Sequence, residues 1–144
     1  MNFRIVGALC ASVVFAGLAF GSAAADPKGL WLANDGAHVM VSSCGKALCG
    51  TLATTNPPLD PATGQPWKDK SNPDPDKRSH PLVGLQIFIA MAPNGPGKWS
   101  GHLYNADDGR TYEGNIIEVD RRTIRVEGCA APGACGGQNM TRIK

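Results

Sequence analysis

The sequence predicts an all-β domain of eight short antiparallel strands, an up-and-down barrel or a sandwich, interrupted by one long proline-rich loop. Apolar residues recur with period two in short runs, separated by Gly, Asn and Asp turn signals, and no segment shows a convincing 3.6-residue period. Four cysteines fall into two close pairs, Cys44 with Cys49 and Cys129 with Cys135, each bracketing a Gly-containing turn. Seven of the eleven prolines crowd into Asn56–Leu82.

The strands follow in order. Gly29 to Leu32 opens the first, and Asn34-Asp35-Gly36 turns it into a second in which Val39 and Val41 alternate with polar neighbours up to Cys44. Leu48 to Thr54 returns. After the loop, Val83, Leu85, Ile87, Ile89 and Met91 are expected to line one face of a central strand. Asn94-Gly95-Pro96-Gly97 leads to Trp99–Tyr104, Asp107-Asp108-Gly109 to Thr111–Val119, and Asp120-Arg121 to a strand with Ile124 and Val126 inward and Arg125 outward. Gln138 to Ile143 is the last. Within the loop, Asn72-Pro73-Asp74-Pro75-Asp76 places capping residues before prolines, which predicts a single helical turn reaching Arg78.

The amino end reads as a secretory leader over residues 1–25. Arg4 precedes an apolar run from Ile5 to Phe20, short for a membrane span, and Ala23 and Ala25 satisfy the small-x-small cleavage pattern. Cleavage there leaves one domain, residues 26–144, with no further membrane span, and removes Cys10 with the leader. Arg4 is the one charged residue of the leader, so the whole-chain charge of +2 becomes +1 for the remainder. That near-neutral balance, without a Lys/Arg run, argues against nucleic acid or an anionic membrane surface as partner. Four cysteines in an exported chain read as disulfides, and the short spacings favour Cys44–Cys49 and Cys129–Cys135 over the other pairings and over a zinc site.

No catalytic constellation is legible. The acidic cluster Asp69, Asn72, Asp74 and Asp76 lacks the glycine and closing glutamate of a Ca²⁺ loop, and Asp74 and Asp76 flanked by prolines suit capping better. His38, His80 and His102 are widely spaced, with none at metal-ligand spacing, and no serine-hydrolase elbow or unpaired thiol is present after the leader. Glu113, Glu118 and Glu127 lie on strands of uncertain facing. The expectation is a non-enzyme without metal or cofactor.

Gly29-x-Trp31 on the first strand, with Arg142 on the last, resembles the lipocalin-like arrangement in which an arginine packs over a tryptophan at the closed end of a barrel. A guanidinium stacked on an indole gains cation–π energy while its donors cap backbone carbonyls. Four blocks taken together carry a more specific resemblance: Asp26-Pro27-x-Gly29-x-Trp31; Ser43-Cys44-Gly45-x-x-Leu48-Cys49-Gly50; Asp69-Lys70-x-Asn72-Pro73-Asp74-Pro75-x-x-Arg78-Ser79-x-Pro81-Leu82-x-Gly84-Leu85; and Trp99-x-Gly101-x-x-Tyr104-x-x-x-x-Gly109-x-x-Tyr112. In that order they closely resemble the bacterial family called domain of unknown function 2147. The resemblance implies a periplasmic or secreted protein with a small eight-stranded lipocalin-like barrel and brings no established activity. This chain departs by carrying Met140 where the family usually has an aromatic, and by the added pair Cys129 and Cys135.

A barrel of eight strands encloses room for side chains or one small ligand. The functional expectation is therefore a binding module for a small apolar ligand, with Trp67, Leu85, Ile87, Trp99, Tyr104 and Tyr112 as candidate contacts. Gly29, Trp31, Asn72, Asp74, Arg78 and Arg142 are expected to be structural. The competing expectation is an envelope protein–protein interaction module that uses the 56–82 loop. Each disulfide closes so short a ring that loop entropy assigns it only about 2 kcal/mol. Reduction should lower the melting temperature, read by circular dichroism, and leave the domain folded at room temperature.

Overall fold

A computed structural model of the chain describes residues 26–144, together with Gly17. The leader expected over residues 1–25, Cys10 included, otherwise lies outside the described residues. Eight strands form one closed barrel in sequence order: β1 Gly29–Leu32, β2 His38–Cys44, β3 Ala47–Thr54, β4 Gln86–Pro93, β5 Lys98–Asn105, β6 Arg110–Asp120, β7 Thr123–Ala131 and β8 Ala134–Arg142. Every neighbouring pair is antiparallel, and β8 returns to β1 to complete the ring, which decides for the barrel over the sandwich. A 3₁₀ turn, Pro75–Lys77, is the helical element among the described residues.

Because each strand reverses the last, the connections alternate between two ends. The β1–β2, β3–β4, β5–β6 and β7–β8 connections share one end, the open end below. The chain termini share the other with the β2–β3, β4–β5 and β6–β7 turns. Both disulfides form as expected: Cys44–Cys49 straddles the β2–β3 turn at the closed end, and Cys129–Cys135 joins directly opposed residues of β7 and β8 toward the open end.

The core fills the closed half. Trp31, Val39, Val41, Leu48, Met91, Ile116 and Ile124 are buried there with Phe88, Val126 and Met140. Removing their apolar surface from water is the main stabilising contribution, at roughly 25 cal/mol per Å². Trp31 is fully buried, its indole N–H donating to the Pro27 carbonyl at 2.8 Å. The Arg142 guanidinium lies 4.3 Å from the indole centroid. It donates to the carbonyls of Lys28 and Asp26, both at 2.7 Å, and of Arg121 at 3.1 Å. Trp31 and Arg142 are partners in the β1–β8 register, so this stack sits on the seam itself. Gly29 is required beside it: its φ is +132°, and a Cβ there would collide with the Lys144 carbonyl and the Arg142 guanidinium.

One strand departs from its expected facing. β4 begins only at Gln86, and Val83, expected on an inward face, is 46% exposed before it. Phe88 and Met91 are the buried residues, three apart rather than two, because the pairing with β5 slips between Ile89 and Ala92, with Ala90 at φ +48°. A bulge inserts one extra residue, so a single period-two face does not run through both sides of it. β7 faces as expected, with Ile124 and Val126 buried. β8 starts earlier than expected, at Ala134, because β7 and β8 stay paired through their disulfide.

Replacing Arg142 by Ala uncovers the indole and leaves three carbonyls without their donor, which should cost about 1–3 kcal/mol. Arg125 pairs on the barrel exterior with Glu127 at 2.7 Å, an arrangement worth at most about 1 kcal/mol. Urea denaturation of the two alanine variants should rank Arg142→Ala clearly below Arg125→Ala. Equal midpoints would remove the seam from its structural role.

Candidate functional site

At the open end the long connection between β3 and β4 folds against the β1–β2 and β5–β6 turns. The loop is tied internally first. The Trp67 indole donates to the Pro57 carbonyl at 2.9 Å, Leu82 N–H to the Trp67 carbonyl at 2.8 Å, and Asp69 N–H to the His80 carbonyl at 2.9 Å. Asp60 is buried and accepts from the Ala62 N–H and the Lys70 ammonium, which together hold its carboxyl below the ordinary range, the backbone bond contributing most. Asp74 caps the 3₁₀ turn by accepting from Asp76 N–H, and Asn72 Oδ1 accepts from Asp74 N–H. Arg78 Nε donates back to the Asn72 carbonyl at 2.8 Å.

The loop is then fastened to the barrel at β5. The Asp69 carboxylate is 1% exposed, with the Tyr104 hydroxyl 2.8 and 3.0 Å from its two oxygens and Asn72 Nδ2 donating to Oδ2 at 2.7 Å. Burying a carboxylate is costly unless donors surround it, and here Tyr104 and Asn72 supply them. Burial, followed by the Asp69 carboxylate, pushes the Tyr104 phenol up to about 12. Beside it, Ser71 Oγ donates to the Asp107 carbonyl at 3.1 Å, and the Ser71 carbonyl lies so close to Gly109 (φ +70°) that no Cβ fits. On β6, the Tyr112 hydroxyl donates to the Asp108 carboxylate, which raises the phenol and lowers the acid.

Beneath the loop the barrel interior is not filled. Two adjoining lobes of about 430 and 360 Å³ share Ile87, Tyr104, Asn105, Asp107, Gln138 and Met140 in their walls. The larger runs toward Phe88, Leu103, Tyr112, Val126 and the glycines Gly128, Gly136 and Gly137; the smaller runs under the loop toward Val39, Leu52, Trp67 and Leu82. Apolar side chains form the floor, and Asp35, Asn56, Asn105, Asp107 and Gln138 stand among the lining polar groups. The charged residues in the lining are both acidic, Asp35 and Asp107, with no Lys, Arg or His. The walls are about as polar as they are apolar, and cavities of this volume occur at small-molecule sites. Among the described residues, no three His, Cys, Asp or Glu side chains gather to hold a metal ion.

Of the candidate contacts, Trp67, Ile87, Tyr104 and Tyr112 line this cleft. Leu85 and Trp99 do not: Leu85 accepts from Leu52 N–H where the loop rejoins the barrel, and Trp99 packs against the core opposite Ile116. Sequence reasoning passed over Gln138, Asn105 and Asp107, and it treated Asp69 only as one of a capping cluster. Asp69 and Tyr104 are 35 residues apart, and neither carries a local signal of the pairing.

The sequence profile of the family described as "Uncharacterized protein conserved in bacteria (DUF2147)" matches residues 29–142. The chain belongs to this family. No curated protein matches the DUF2147 chain by sequence. Among solved structures, its barrel is similar to that of protein HP1028 from Helicobacter pylori, described as belonging to the lipocalin family. The two share 16% identity with a TM-score of 0.71, over 83% of this chain and 84% of that one. At that identity the likeness shows the fold: a lipocalin-like barrel. Met140 is buried and lines both lobes.

Tyr104→Phe removes a donor from a buried carboxylate and should cost about 1–3 kcal/mol, with faster amide exchange at Asp69 and Asn72. The raised phenol also sets a pH window. Its neutral form is favoured by folding, so the contribution is full below the unfolded value of 10.0 and fades as pH rises toward about 12. Thermal melts of the wild type should lose stability across that interval, and those of Tyr104→Phe should lose less.

Proposed function

We propose that this DUF2147 protein is an exported, non-enzymatic carrier that binds one small, largely apolar molecule in the open-end cleft. The observation that carries the reading is the division of the barrel interior: side chains fill the closed half, and the open half is an apolar-floored cleft beneath a pinned loop. The lipocalin-like likeness supports it at the level of fold. Export is supported by two disulfides, which persist in oxidising compartments, and by the leader read from the sequence. Among the described residues no helix is long and apolar enough to cross a membrane.

An enzyme reading draws less support. Hydrogen bonds move Asp26, Asp60 and Asp108 downward, and burial at Tyr104 and a hydrogen bond at Tyr112 move those phenols upward, away from neutrality. A carboxyl or phenol serves general acid–base catalysis best when its value is brought toward the working pH. The interaction-module reading keeps one favourable observation, a loop held in place by Asp69 and Ser71 with Leu59 exposed upon it.

Native mass spectrometry of protein purified from its own host should show a small bound species that denaturing conditions release. An apo mass alone, combined with an envelope protein that co-purifies and is lost on deleting the loop, would favour the interaction module instead.

A further inference from the structure

Inward positions of β3, β6, β7 and β8 are rich in glycine, and these glycines fall into two groups. At Gly50 and Gly114 the missing side chain leaves room that the protein itself occupies, with Phe88 against the first and Leu103 against the second. At Gly128 and Gly136 the space is not tightly filled. No atom lies within 4 Å of where a Cβ of Gly136, an exposed residue near the mouth, would stand, and a Cβ at Gly128 would sit at ordinary contact distance from Tyr112 (3.5 Å) and Leu103 (3.6 Å). Neither glycine holds a left-handed φ, so neither turn chemistry nor packing requires its identity. Glycine inside a strand weakens it, and one use that offsets the cost is a site where another molecule comes close to the backbone.

These two residues are direct cross-strand partners on β7 and β8, and both line the larger lobe. Gly137 follows, held against the Val126 carbonyl so closely that a Cβ would not fit. The lobe wall is bare backbone at Gly136, and Gly128 beside it leaves Tyr112 and Leu103 at its flank. The neighbouring residue pair is Cys129–Cys135, so the disulfide holds that surface in register. In a ring of eight strands β4 stands opposite β8, and its Ile87 and Phe88 line the facing side of the lobe.

We propose that this bare wall is a slot for the flat, ring-bearing part of an uncharged apolar ligand, with Gly128 and Gly136 as specificity-determining residues. The inference rests on the carrier reading and names the ligand class for it. Peptide planes without Cβ branches offer a planar group continuous contact, whereas a flexible chain gains nothing from flatness. The lining holds Asp35 and Asp107 and no basic group, so an anionic ligand would find no counter-ion.

Fluorescence titration with N-phenyl-1-naphthylamine, a flat uncharged probe, tests this, alongside displacement by 1-dodecanol, an uncharged chain. Gly136→Leu places a side chain in the open space and should weaken the ring probe by about tenfold or more, with 1-dodecanol changed far less. Its melting temperature should hold or rise, since a strand glycine is being replaced. If Gly136→Leu fails to fold, Gly128→Ala, which adds one methyl at ordinary contact distance, should show the same ordering more weakly. Equal loss of both molecules, or no loss of either, would overturn the slot and leave the carrier reading intact. Wild-type protein that binds neither molecule would overturn both.

Discussion

The architecture depends on one meeting point, where the first and last strands join beside Trp31. An eight-stranded antiparallel sheet left open there would present two unpaired edges, a standing hazard for aggregation. β1 is only four residues long, and its two register pairs with β8 are extended by backbone bonds between Leu30 and the Ile143–Lys144 end of the chain. The guanidinium of Arg142 adds side-chain contacts to these. It stacks on a fully buried indole and reaches the carbonyls of Asp26 and Lys28 on the segment leading into β1 and of Arg121 on the β6–β7 turn. One side chain thus ties three parts of the chain at the end where the core is densest.

A closed end that is solidly packed allows the other end to be empty. The volume that Trp31, Met91 and Ile116 occupy at the closed end lies open under the long loop. The loop does not stay in place by apolar burial, for its prolines and exposed Leu59 contribute little core. Its position is set by a buried carboxylate whose donors come from the barrel and from the loop itself, Tyr104 and Asn72. Such a contact is directional: satisfied in one geometry and costly in others, it specifies where the loop rests more than it stabilises the whole.

Local sequence carried the strands, the turns, both disulfides and the 3₁₀ turn, because each is written in neighbouring residues: alternation in β2 and β7, Asn-Asp-Gly and Asp-Asp-Gly in the hairpins, proline after aspartate at Pro75. The Trp31–Arg142 seam was legible only through resemblance, as a pairing of the chain ends has no local mark. What escaped was non-local or irregular. The bulge at Ala90 hides within a run that alternates well on paper, so Phe88 was placed on the wrong face. The cleft escaped for a different reason. Its wall is defined partly by missing side chains at Gly128 and Gly136, and an absence reads in sequence as a weak strand rather than as a surface.

The ring order has a kinetic side. Seven of the eight strand pairings join consecutive strands, and six of those close over tight turns; the β3–β4 pairing spans the long loop, and the β8–β1 seam spans the whole domain. Closing a long segment carries an entropic cost that must be met before its contacts are rewarded. Hairpins can therefore assemble by local zippering while the seam waits for the ends of the chain to find each other. A lesion at Trp31 or Arg142 would then act chiefly by hastening unfolding, leaving the early steps of folding largely untouched.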